Sequence, residues 1–424
     1  MNRINILFDS KILIDQFLNA SAGRSGVFFV AWNVLQNYAK NKNIHITLAY
    51  LNEYEGSDNL RKIKKNPFFS QFKFVNIDVS FVKVIMQRIE KHKKNNNYIK
   101  ILYNYCRLAK YKIYQYIFIK MQNIYISPYY AIPQSIIKQE HIKKFYILYD
   151  TIPIIFREDT ENARLVHSPI INTFNKEIYS FCISQSCKND YLKYCSDKLD
   201  ANKMFVIYIA ANQHYVPNYN KQELIKILKK YGIEHNQNDK YLFSLCSLEP
   251  RKNLPFTIAC FCKFVKKHNI QDLYFYLGGG AYTDNLLSVL EKSMEETDEF
   301  RQKIKLLGYI DDTDINILYS NSLFFTFLSQ YEGFGMPPLE AMQAGTPVIT
   351  SNNSSLPEVV GDAAVSLTYN DEDAVINAFE NFYFNENLRK EYIIKGLERA
   401  KMFSWEKCTG QMIKIIEEIV KCSE

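Results

Sequence analysis

The 424-residue sequence has no apolar run close to the roughly 20 residues that a membrane-spanning helix needs. Its N-terminus lacks the long apolar segment of a secretory signal. The nine cysteines include no C-x-x-C pair with a matching partner, which favours free thiols in a reducing cytoplasm over a metal site or a disulfide framework. Together these absences predict a cytoplasmic protein that is either soluble or bound to a membrane surface.

Strong positive charge and nucleic-acid-binding motifs are also lacking. The formal net charge is +7, which is modest for this length, so we predict no nucleic-acid partner. The basic residues are nevertheless concentrated, because residues 83–120 contain ten Lys or Arg and a single acidic residue, Glu90. This aromatic, basic segment either faces an anionic membrane or forms a solvated helical insertion whose tyrosines pack on the first domain.

The chain is too long for one ordinary hydrophobic core, and two domains are expected. Short apolar runs alternate with helical patterns, which indicates α/β units around parallel sheets. We predict a first domain over residues 1–215, a second over 216–402 that begins with a linker at 216–240, and a last helix within 403–424. Strands are predicted at 4–8, 44–51, 145–148, 181–184, 241–246, 273–277, 303–307, 323–327 and 348–351. Helices are predicted at 27–38, 188–194, 254–267, 315–320 and 405–422.

The most informative stretch is Y-E-G-F-G-M-P-P-L-E-A-M-Q-A-G at residues 331–345. Glu332 is expected on the loop that enters a helix of about two turns, and Glu340 in the first turn of that helix. Both carboxylates can then face one crevice, where a carboxylate accepts hydrogen bonds from two neighbouring hydroxyls. Gly333 and Gly335 allow close approach of the backbone to a ligand. The pattern therefore favours recognition of a polyhydroxylated molecule.

A second stretch, S-L-E-P-R-K-N-L-P at residues 247–255, places two cations beside a predicted helix start. Asn253 is expected to cap that helix, with Pro255 in its first turn. Arg251 and Lys252 then stand where backbone N–H groups and the helix dipole already favour an anion. This arrangement indicates a diphosphate site, and a surface basic pair is the alternative.

Two glycine loops follow predicted strands. Gly278, Gly279 and Gly280 permit close approach to a flat group such as a nucleobase, although the G-x-G-x-x-G fingerprint is not met because Thr283 replaces its last glycine. The loop at residues 23–26, which ends at Gly26, could direct backbone donors at a phosphate or a substrate hydroxyl. A plain structural turn is the alternative at both loops.

Two acidic positions have open interpretations. Asp150, at the end of a predicted strand, either holds a substrate hydroxyl or caps the loop at 151–153. The segment D-D-T-D at residues 311–314 contains the D-x-D pair that can chelate a divalent cation. Because it precedes a short helix, we favour acidic N-capping without a metal.

Taken together, these motifs resemble the family 4 retaining glycosyltransferases of GT-B architecture. The matching features are the E-x7-E pair Glu332 and Glu340, the E-P-R-K-N segment at 249–253, the glycines at 278–280 and F-S-W at 403–405. The resemblance is most specific over residues 241–405 and looser in the N-terminal half. It implies two Rossmann-like domains facing each other across a cleft, with a C-terminal helix crossing back to the first domain.

The resemblance also implies a function and a set of contacts. The second domain would bind a nucleotide-sugar donor, and the first a glycan or lipid-linked acceptor in cell-surface polysaccharide synthesis. Glu332 would contact the transferred sugar, Glu340 the ribose, and Arg251 and Lys252 the diphosphate, without a metal or other cofactor. The backbone amides of Phe334, Gly335 and Met336 would steady the sugar and the phosphate.

One departure from the family pattern concerns the first domain. Many relatives carry His-Asp where this chain has Tyr149-Asp150, so a histidine contact to the donor sugar is in doubt and Asp150 is the better candidate. The alternative function is a catalytically silent nucleotide-sugar-binding subunit that supports a partner transferase. The presence of Arg251, Lys252, Glu332 and Glu340 favours an active enzyme.

Overall fold

The computed structural model describes residues 4–17, 25–77, 113–156, 163–279 and 298–422. The chain divides into two compact units. The first comprises Met1–Ile183, Lys188–Ile207 and Trp405–Glu424, and the second comprises Ser184–Cys187 and Tyr208–Ser404. The last stretch of chain therefore belongs to the first unit.

The first unit contains a parallel sheet with the strand order β3-β2-β1-β4-β5-β6-β7. Its central strands are short apolar runs whose side chains are buried on both faces, as expected for a parallel sheet covered by helices. The strands are β1 (Ile4–Asp9), β2 (Ile44–Tyr50), β3 (Lys73–Asn76), β4 (Ile124–Ser127), β5 (Lys143–Leu148), β6 (Tyr179–Cys182) and β7 (Met204–Val206).

Helices connect these strands, and the last helix, Trp405–Lys421, packs against the helix Gly26–Ala39. The other α-helices are Lys11–Gln16, Asp58–Lys65, Gln134–Ile137, Ile152–Ile155, Ser168–Thr173 and Gln185–Cys195, and residues 113–120 are also helical. Shorter turns lie at Asn52–Tyr54, Phe69–Gln71, Ala163–His167 and Ala201–Lys203.

The second unit repeats the architecture around a parallel sheet with the order β10-β9-β8-β11-β12-β13. Phe261 and Phe264 on one helix and Phe379 on another are buried in its core. The strands are β8 (Lys240–Leu245), β9 (Leu273–Gly278), β10 (Ile304–Gly308), β11 (Phe324–Phe327), β12 (Val348–Ser351) and β13 (Val365–Leu367). The α-helices are Lys221–Lys230, Leu254–His268, Asp312–Ser320, Met336–Gln343, Leu356–Val360, Glu372–Phe384 and Glu386–Ala400, and 3-10 turns lie at Pro250–Lys252 and Asp298–Lys303.

The predicted fold class of two Rossmann-like α/β units is confirmed. All nine predicted strands are present within a few residues, with the largest shift at 181–184, where the strand is Tyr179–Cys182. Four strands were not predicted, namely β3, β4, β7 and β13. Each has only three or four residues.

Each sheet has a point at which the strand order reverses. In the second sheet β8 and β11 are neighbours there, although about 80 residues separate them in sequence. Ligands of open α/β sheets bind outside the carboxyl ends of the strands at this point. The loops that follow β8 and β11 carry Arg251 and Glu332, so the topology brings the two motifs together.

Candidate functional site

Arg251, Lys252 and Glu332 form one ion-pair cluster in the second unit. The Nη1 atom of Arg251 lies 2.9 Å from Oε1 of Glu332, and the Nζ atom of Lys252 lies 2.6 Å from the same oxygen. Arg251 also donates from Nε to Glu249 at 2.7 Å and from Nη1 to the carbonyl of Tyr331 at 3.0 Å. The sequence prediction that these three residues share a site is consistent with this geometry.

The cluster is largely removed from solvent. The side chains of Lys252 and Glu332 are 8% and 11% exposed. Burial alone would raise the pKa of Glu332, but the charges of Lys252 and Arg251 outweigh it and hold the pKa below its ordinary value. Glu332 is therefore ionised at neutral pH.

Two serines hold the loop that carries Glu332. The N–H of Glu332 donates to Oγ of Ser354 at 3.0 Å, and Oγ of Ser355 donates to the carbonyls of Glu332 and Phe334 at 2.9 and 2.7 Å. Ser354 adopts a φ of 49°, which is uncommon for a residue with a side chain. Neither serine was predicted to belong to the site, and the signal that could have indicated them is their position just after β12, at the same edge of the sheet.

The ring of Phe334 anchors the middle of this loop. It is buried and packs against Tyr208 and Phe403, with ring centroids 6.5 and 5.9 Å apart. Gly333 is also buried, and Gly335 has a φ of 117° that favours glycine. The helix begins at Met336, where the first N–H groups have no acceptor within the helix.

Glu340 is the fifth residue of this helix, so its predicted place in the first turn was wrong. The helix starts at Met336, one residue before the proline pair. Gly335 precedes it with the positive φ that this N-cap position requires. Oε2 of Glu340 accepts a hydrogen bond from the hydroxyl of buried Tyr319 at 3.0 Å. Burial raises the pKa of Glu340 to about 7, although the Tyr319 bond lowers it and the charge of Asp312 adds a small increase.

Asn253 precedes the helix Leu254–His268, but its side chain does not cap it as predicted. The residue has a left-handed backbone, with φ 58° and ψ 30°, a conformation that Asn tolerates better than most residues. Its Nδ2 atom donates instead to the carbonyl of Tyr369 at 2.8 Å. Asn253 therefore ends the Arg251–Lys252 turn and ties it to a neighbouring loop.

The described glycines of the 278–280 loop approach other parts of the protein closely. A Cβ atom on Gly279, whose φ is 154°, would lie 1.8 Å from the carbonyl oxygen of Cys246, and one on Gly278 would lie 2.3 Å from Cδ1 of Ile310. Close packing within the unit thus explains why both positions are glycine, without reference to a ligand. Gly280 and Thr283 lie outside the described residues.

The acidic segment at 311–314 spans the start of the helix Asp312–Ser320, with Asp312 and Asp314 in its first turn. Asp311 precedes the helix but makes no side-chain capping bond, so this part of the prediction was wrong. Lys230 forms ion pairs with Asp311 and Asp314 instead, the second at 2.7 Å, and Tyr231 donates to Asp314 at 2.8 Å. Within the described ranges, no group of three or more His, Cys, Asp or Glu side chains is placed to hold a metal ion.

The remaining predicted site residues lie in the first unit. Gly26 is the first residue of the helix Gly26–Ala39, where Oγ of Ser25 accepts the N–H of Phe28 at 3.3 Å; residues 23 and 24 lie outside the described part of the chain. Asp150 caps the next turn, because its Oδ1 accepts the N–H of Ile152 at 3.1 Å. The hydroxyl of Tyr149 donates to the carbonyl of Pro128 at 2.8 Å, which fixes this side chain to the neighbouring loop.

Comparison with known proteins finds a family match within the second unit. Residues 226–399 match the family described as "Glycosyl transferases group 1". Over 214 residues the chain is 33% identical to O-antigen chain mannosyltransferase B of Escherichia coli, covering 50% of this chain and 54% of that protein. Over 286 residues it is 25% identical to the serotype-specific mannosyltransferase WbdA of Escherichia coli, covering 66% of this chain and 34% of that one. The chain thus spans about half the length, or less, of these relatives.

The fold matches over almost the whole chain. A sucrose-phosphate synthase of Thermosynechococcus elongatus superposes with a TM-score of 0.67 at 15% identity, covering 99% of this chain and 100% of that one. At this identity the likeness concerns the fold alone, and it is the fold of two Rossmann-like domains described above. The chain therefore has the GT-B fold, and its residues 226–399 are similar to the group 1 glycosyl transferases.

Proposed function

We propose that the protein transfers a sugar from a nucleotide-sugar donor to a glycan or lipid-linked glycan during assembly of a bacterial cell-surface polysaccharide. The observation that carries the proposal is the buried cluster of Arg251, Lys252 and Glu332 at the strand-order reversal of the second sheet. It combines cations for a diphosphate with a carboxylate for sugar hydroxyls. The names of two relatives, an O-antigen chain mannosyltransferase and a serotype-specific mannosyltransferase, support the same class of reaction.

Arg251 and Lys252 would bind the donor diphosphate and stabilise the negative charge that develops as the anomeric bond breaks. Lys252 has three N–H donors and Arg251 has five, so both can keep the bond to Glu332 while they reach a phosphate oxygen. Since these two cations supply the charge, we infer that no metal ion is required. Full activity in the presence of EDTA is the expected result.

The reaction would retain the anomeric configuration. The acceptor hydroxyl attacks the face from which the diphosphate leaves, and a phosphate oxygen of the leaving group takes its proton. Glu332, ionised and fixed by two cations, would accept hydrogen bonds from the transferred sugar and would not act as a general acid. Glu340 would bind the ribose, and the backbone of Gly333, Phe334, Gly335 and Met336 would contact the sugar and phosphate.

The donor can be identified by ligand-induced stabilisation. A ligand that binds the folded state raises the melting temperature, so a panel of GDP-, UDP-, ADP- and CMP-sugars separates the true donor from the rest. The mannosyltransferase relatives lead us to expect the largest shift with GDP-mannose. Absence of a shift with every nucleotide sugar would contradict the proposed function. Turnover by the purified protein alone would separate an enzyme from a silent binding subunit.

Replacing either cation tests the chemistry. Arg251→Ala and Lys252→Ala are each expected to lower turnover by about 10²-fold or more, because the leaving group loses a stabilising charge. Lys267→Ala is a suitable control, since this exposed lysine pairs on the surface with Glu380. Wild-type turnover in folded Arg251→Ala and Lys252→Ala proteins would remove both residues from the proposed role.

We further propose that the protein binds the surface of an anionic membrane, where a lipid-linked acceptor would lie. The described part of the basic segment supports this, because the helix at 113–120 directs large apolar side chains outward. Ile113, Tyr116, Ile117 and Met121 are 60%, 52%, 54% and 63% exposed, whereas Gln115 and Gln122 are buried. No helix in the described ranges is long and apolar enough to cross a bilayer, and residues 83–112 lie outside those ranges.

Co-sedimentation with anionic vesicles at low salt tests this surface. The wild type is expected to bind, and the double variant Tyr116→Ser/Ile117→Ser to bind less, because apolar insertion adds to charge attraction. Ile394→Ser, at an equally exposed apolar position of the second unit, should bind as the wild type does. Failure of the wild-type protein to sediment with these vesicles would end the proposal.

A further inference from the structure

A group of tyrosines and charged side chains lies at the strand-order reversal of the first sheet, as the ion-pair cluster of Arg251, Lys252 and Glu332 does in the second. In the first sheet the strand order reverses between β1 and β4. Lys11 and Asp15 follow β1, Glu53 and Tyr54 follow β2, and Tyr130 follows β4. We call these five residues the tyrosine–carboxylate cluster. They lie after the carboxyl ends of three adjacent strands, where open α/β sheets bind their ligands.

The cluster is connected by direct contacts. The carboxylate of Asp15 accepts hydrogen bonds from Tyr54 at 2.5 Å and from Tyr130 at 3.2 Å. The ammonium group of Lys11 donates to Glu53 at 2.5 Å and to Tyr54 at 3.2 Å. It also lies about 5 Å from the centres of both tyrosine rings, at 5.2 and 4.9 Å. These bonds hold two aromatic rings and a carboxylate in fixed relative positions.

A buried group fixes the cluster to the sheet. Asp9, the last residue of β1, is 5% exposed and accepts hydrogen bonds from the N–H of Lys11 at 2.9 Å and the hydroxyl of Tyr125 at 3.0 Å. The segment that carries Lys11 and Asp15 is thereby attached to β4 as well as to β1. In contrast to Asp9, the members of the cluster are only partly buried or exposed, so a ligand can reach them.

The chemistry of the cluster suits a sugar ring. Aromatic side chains offer apolar faces to the C–H side of a pyranose, and carboxylates and phenols exchange hydrogen bonds with its hydroxyls. Asp150, the acceptor candidate from the sequence, uses Oδ1 to cap Ile152, and its carbonyl accepts the hydroxyl of Tyr191 at 3.0 Å. We propose that Asp15, Tyr54 and Tyr130 bind hydroxyls of the terminal sugar of the glycan acceptor, a proposal that rests on the proposed function.

The test measures sugar binding without turnover. Saturation-transfer NMR with octyl α-mannoside and the corresponding dimannoside is expected to show binding to the full-length wild-type protein. Asp15→Asn and Tyr130→Phe should each weaken that binding by about tenfold, the loss expected for one hydrogen bond to a charged group. Asp58→Asn and Tyr194→Phe, at exposed positions of the same unit, should leave it unchanged.

Nucleotide-sugar stabilisation, measured on the same proteins, separates the two proposals. Retained donor stabilisation with lost glycoside binding in Asp15→Asn and Tyr130→Phe is the expected pattern. Undiminished glycoside binding in these variants, or no binding by a wild type that is stabilised by its donor, would overturn the acceptor proposal and leave the proposed function standing. Failure of every donor to stabilise the wild type would instead count against the proposed function. Unchanged circular dichroism and melting temperature exclude unfolding as the cause.

Discussion

Ser354 combines a left-handed backbone with a hydrogen bond to the loop of Glu332. The backbone conformation lowers stability, whereas the hydrogen bond supports the proposed function. A side chain at φ 49° is strained, and glycine relieves that strain. The Oγ atom of Ser354, however, accepts the N–H of Glu332 and so fixes the carboxylate that is proposed to hold the sugar. Stability and activity should therefore respond differently to its replacement.

We expect Ser354→Gly to melt at or above the wild-type temperature while its turnover falls by about tenfold, because the loop of Glu332 loses a fixed position. Thermal unfolding and steady-state kinetics measure the two effects. Asn269→Gly is the matched control, since Asn269 has the same φ of 49° but lies at the far end of the helix Leu254–His268. Full turnover in Ser354→Gly would show that Ser354 does not position Glu332.

Glu340 should give donor binding a pH dependence. Its pKa of about 7 lies above the ordinary value of 4.5, so it ionises as the pH passes through neutrality. Since an ionised carboxylate only accepts hydrogen bonds, affinity for the nucleotide should rise between about pH 6 and 8. Isothermal titration across this range measures the effect, and Glu340→Gln should flatten it. An unchanged slope in Glu340→Gln would assign the dependence to another group.

In the unliganded protein the same raised pKa makes stability fall as the pH rises, whereas the affinity for the nucleotide is expected to increase. Between pH 4.5 and about 7 the folded state keeps a proton on Glu340 that the unfolded state has lost. The contribution of Glu340 to the free energy of unfolding therefore falls as the pH rises through this window, and it is constant above it. Comparison of wild type and Glu340→Gln in urea isolates this contribution.

Single residues also show where sequence reasoning is limited. Asn253 and Asp311 both precede helices and have the residue types of N-caps, yet neither side chain caps its helix. Asn253 bonds to Tyr369 and Asp311 pairs with Lys230, partners that are about 80 to 120 residues away in sequence. Local propensity predicted one helix start at Leu254, as observed, and the other at 315, three residues after the observed start at Asp312. Tertiary partners decided the bonds.

At the scale of elements, the loop after β9 is restricted by its packing against β8. Gly279→Ala should be strongly destabilising, by about 3 kcal/mol or more, because its Cβ would overlap the carbonyl of Cys246 and its φ is positive. Denaturant unfolding measures the loss. Gly410→Ala is the control, since a Cβ there meets nothing within 4 Å and alanine favours the helix Trp405–Lys421. A stable Gly279→Ala protein would contradict the close contact.

Several elements with a strong local pattern were predicted well, whereas the long helices Glu372–Phe384 and Glu386–Ala400 were not predicted. The strands Ile4–Asp9 and Leu273–Gly278 and the helix Leu254–His268 were found because apolar runs and periodicity identify them locally. Phe324–Phe327 and Val348–Ser351, each of four residues, were found from their apolar runs. Ile124–Ser127 and Val365–Leu367 were missed, and the neighbours with which they pair fix them as strands.

At the scale of the whole molecule, the last helix belongs to the first unit although it follows the second in sequence. Met412→Ala and Ile416→Ala remove buried side chains of this helix and should each cost about 2–5 kcal/mol. In calorimetry, the loss should appear in the transition of the first unit. Lys414→Ala, at an exposed position of the same helix, should have little effect. A shift confined to the nucleotide-stabilised transition of the second unit would contradict this assignment.

The sequence by itself determined the α/β class and the division into two domains, because these depend on local patterns, and its resemblance to a known family placed Arg251, Lys252 and Glu332 in one proposed site. Only the tertiary structure decided which groups hold those side chains. Ser354 and Ser355 support Glu332, Tyr319 bonds to Glu340, and the tyrosine–carboxylate cluster joins residues that follow three different strands. The physical reason is that parallel sheets bring the carboxyl ends of distant strands together, and no local pattern records which loops will meet there.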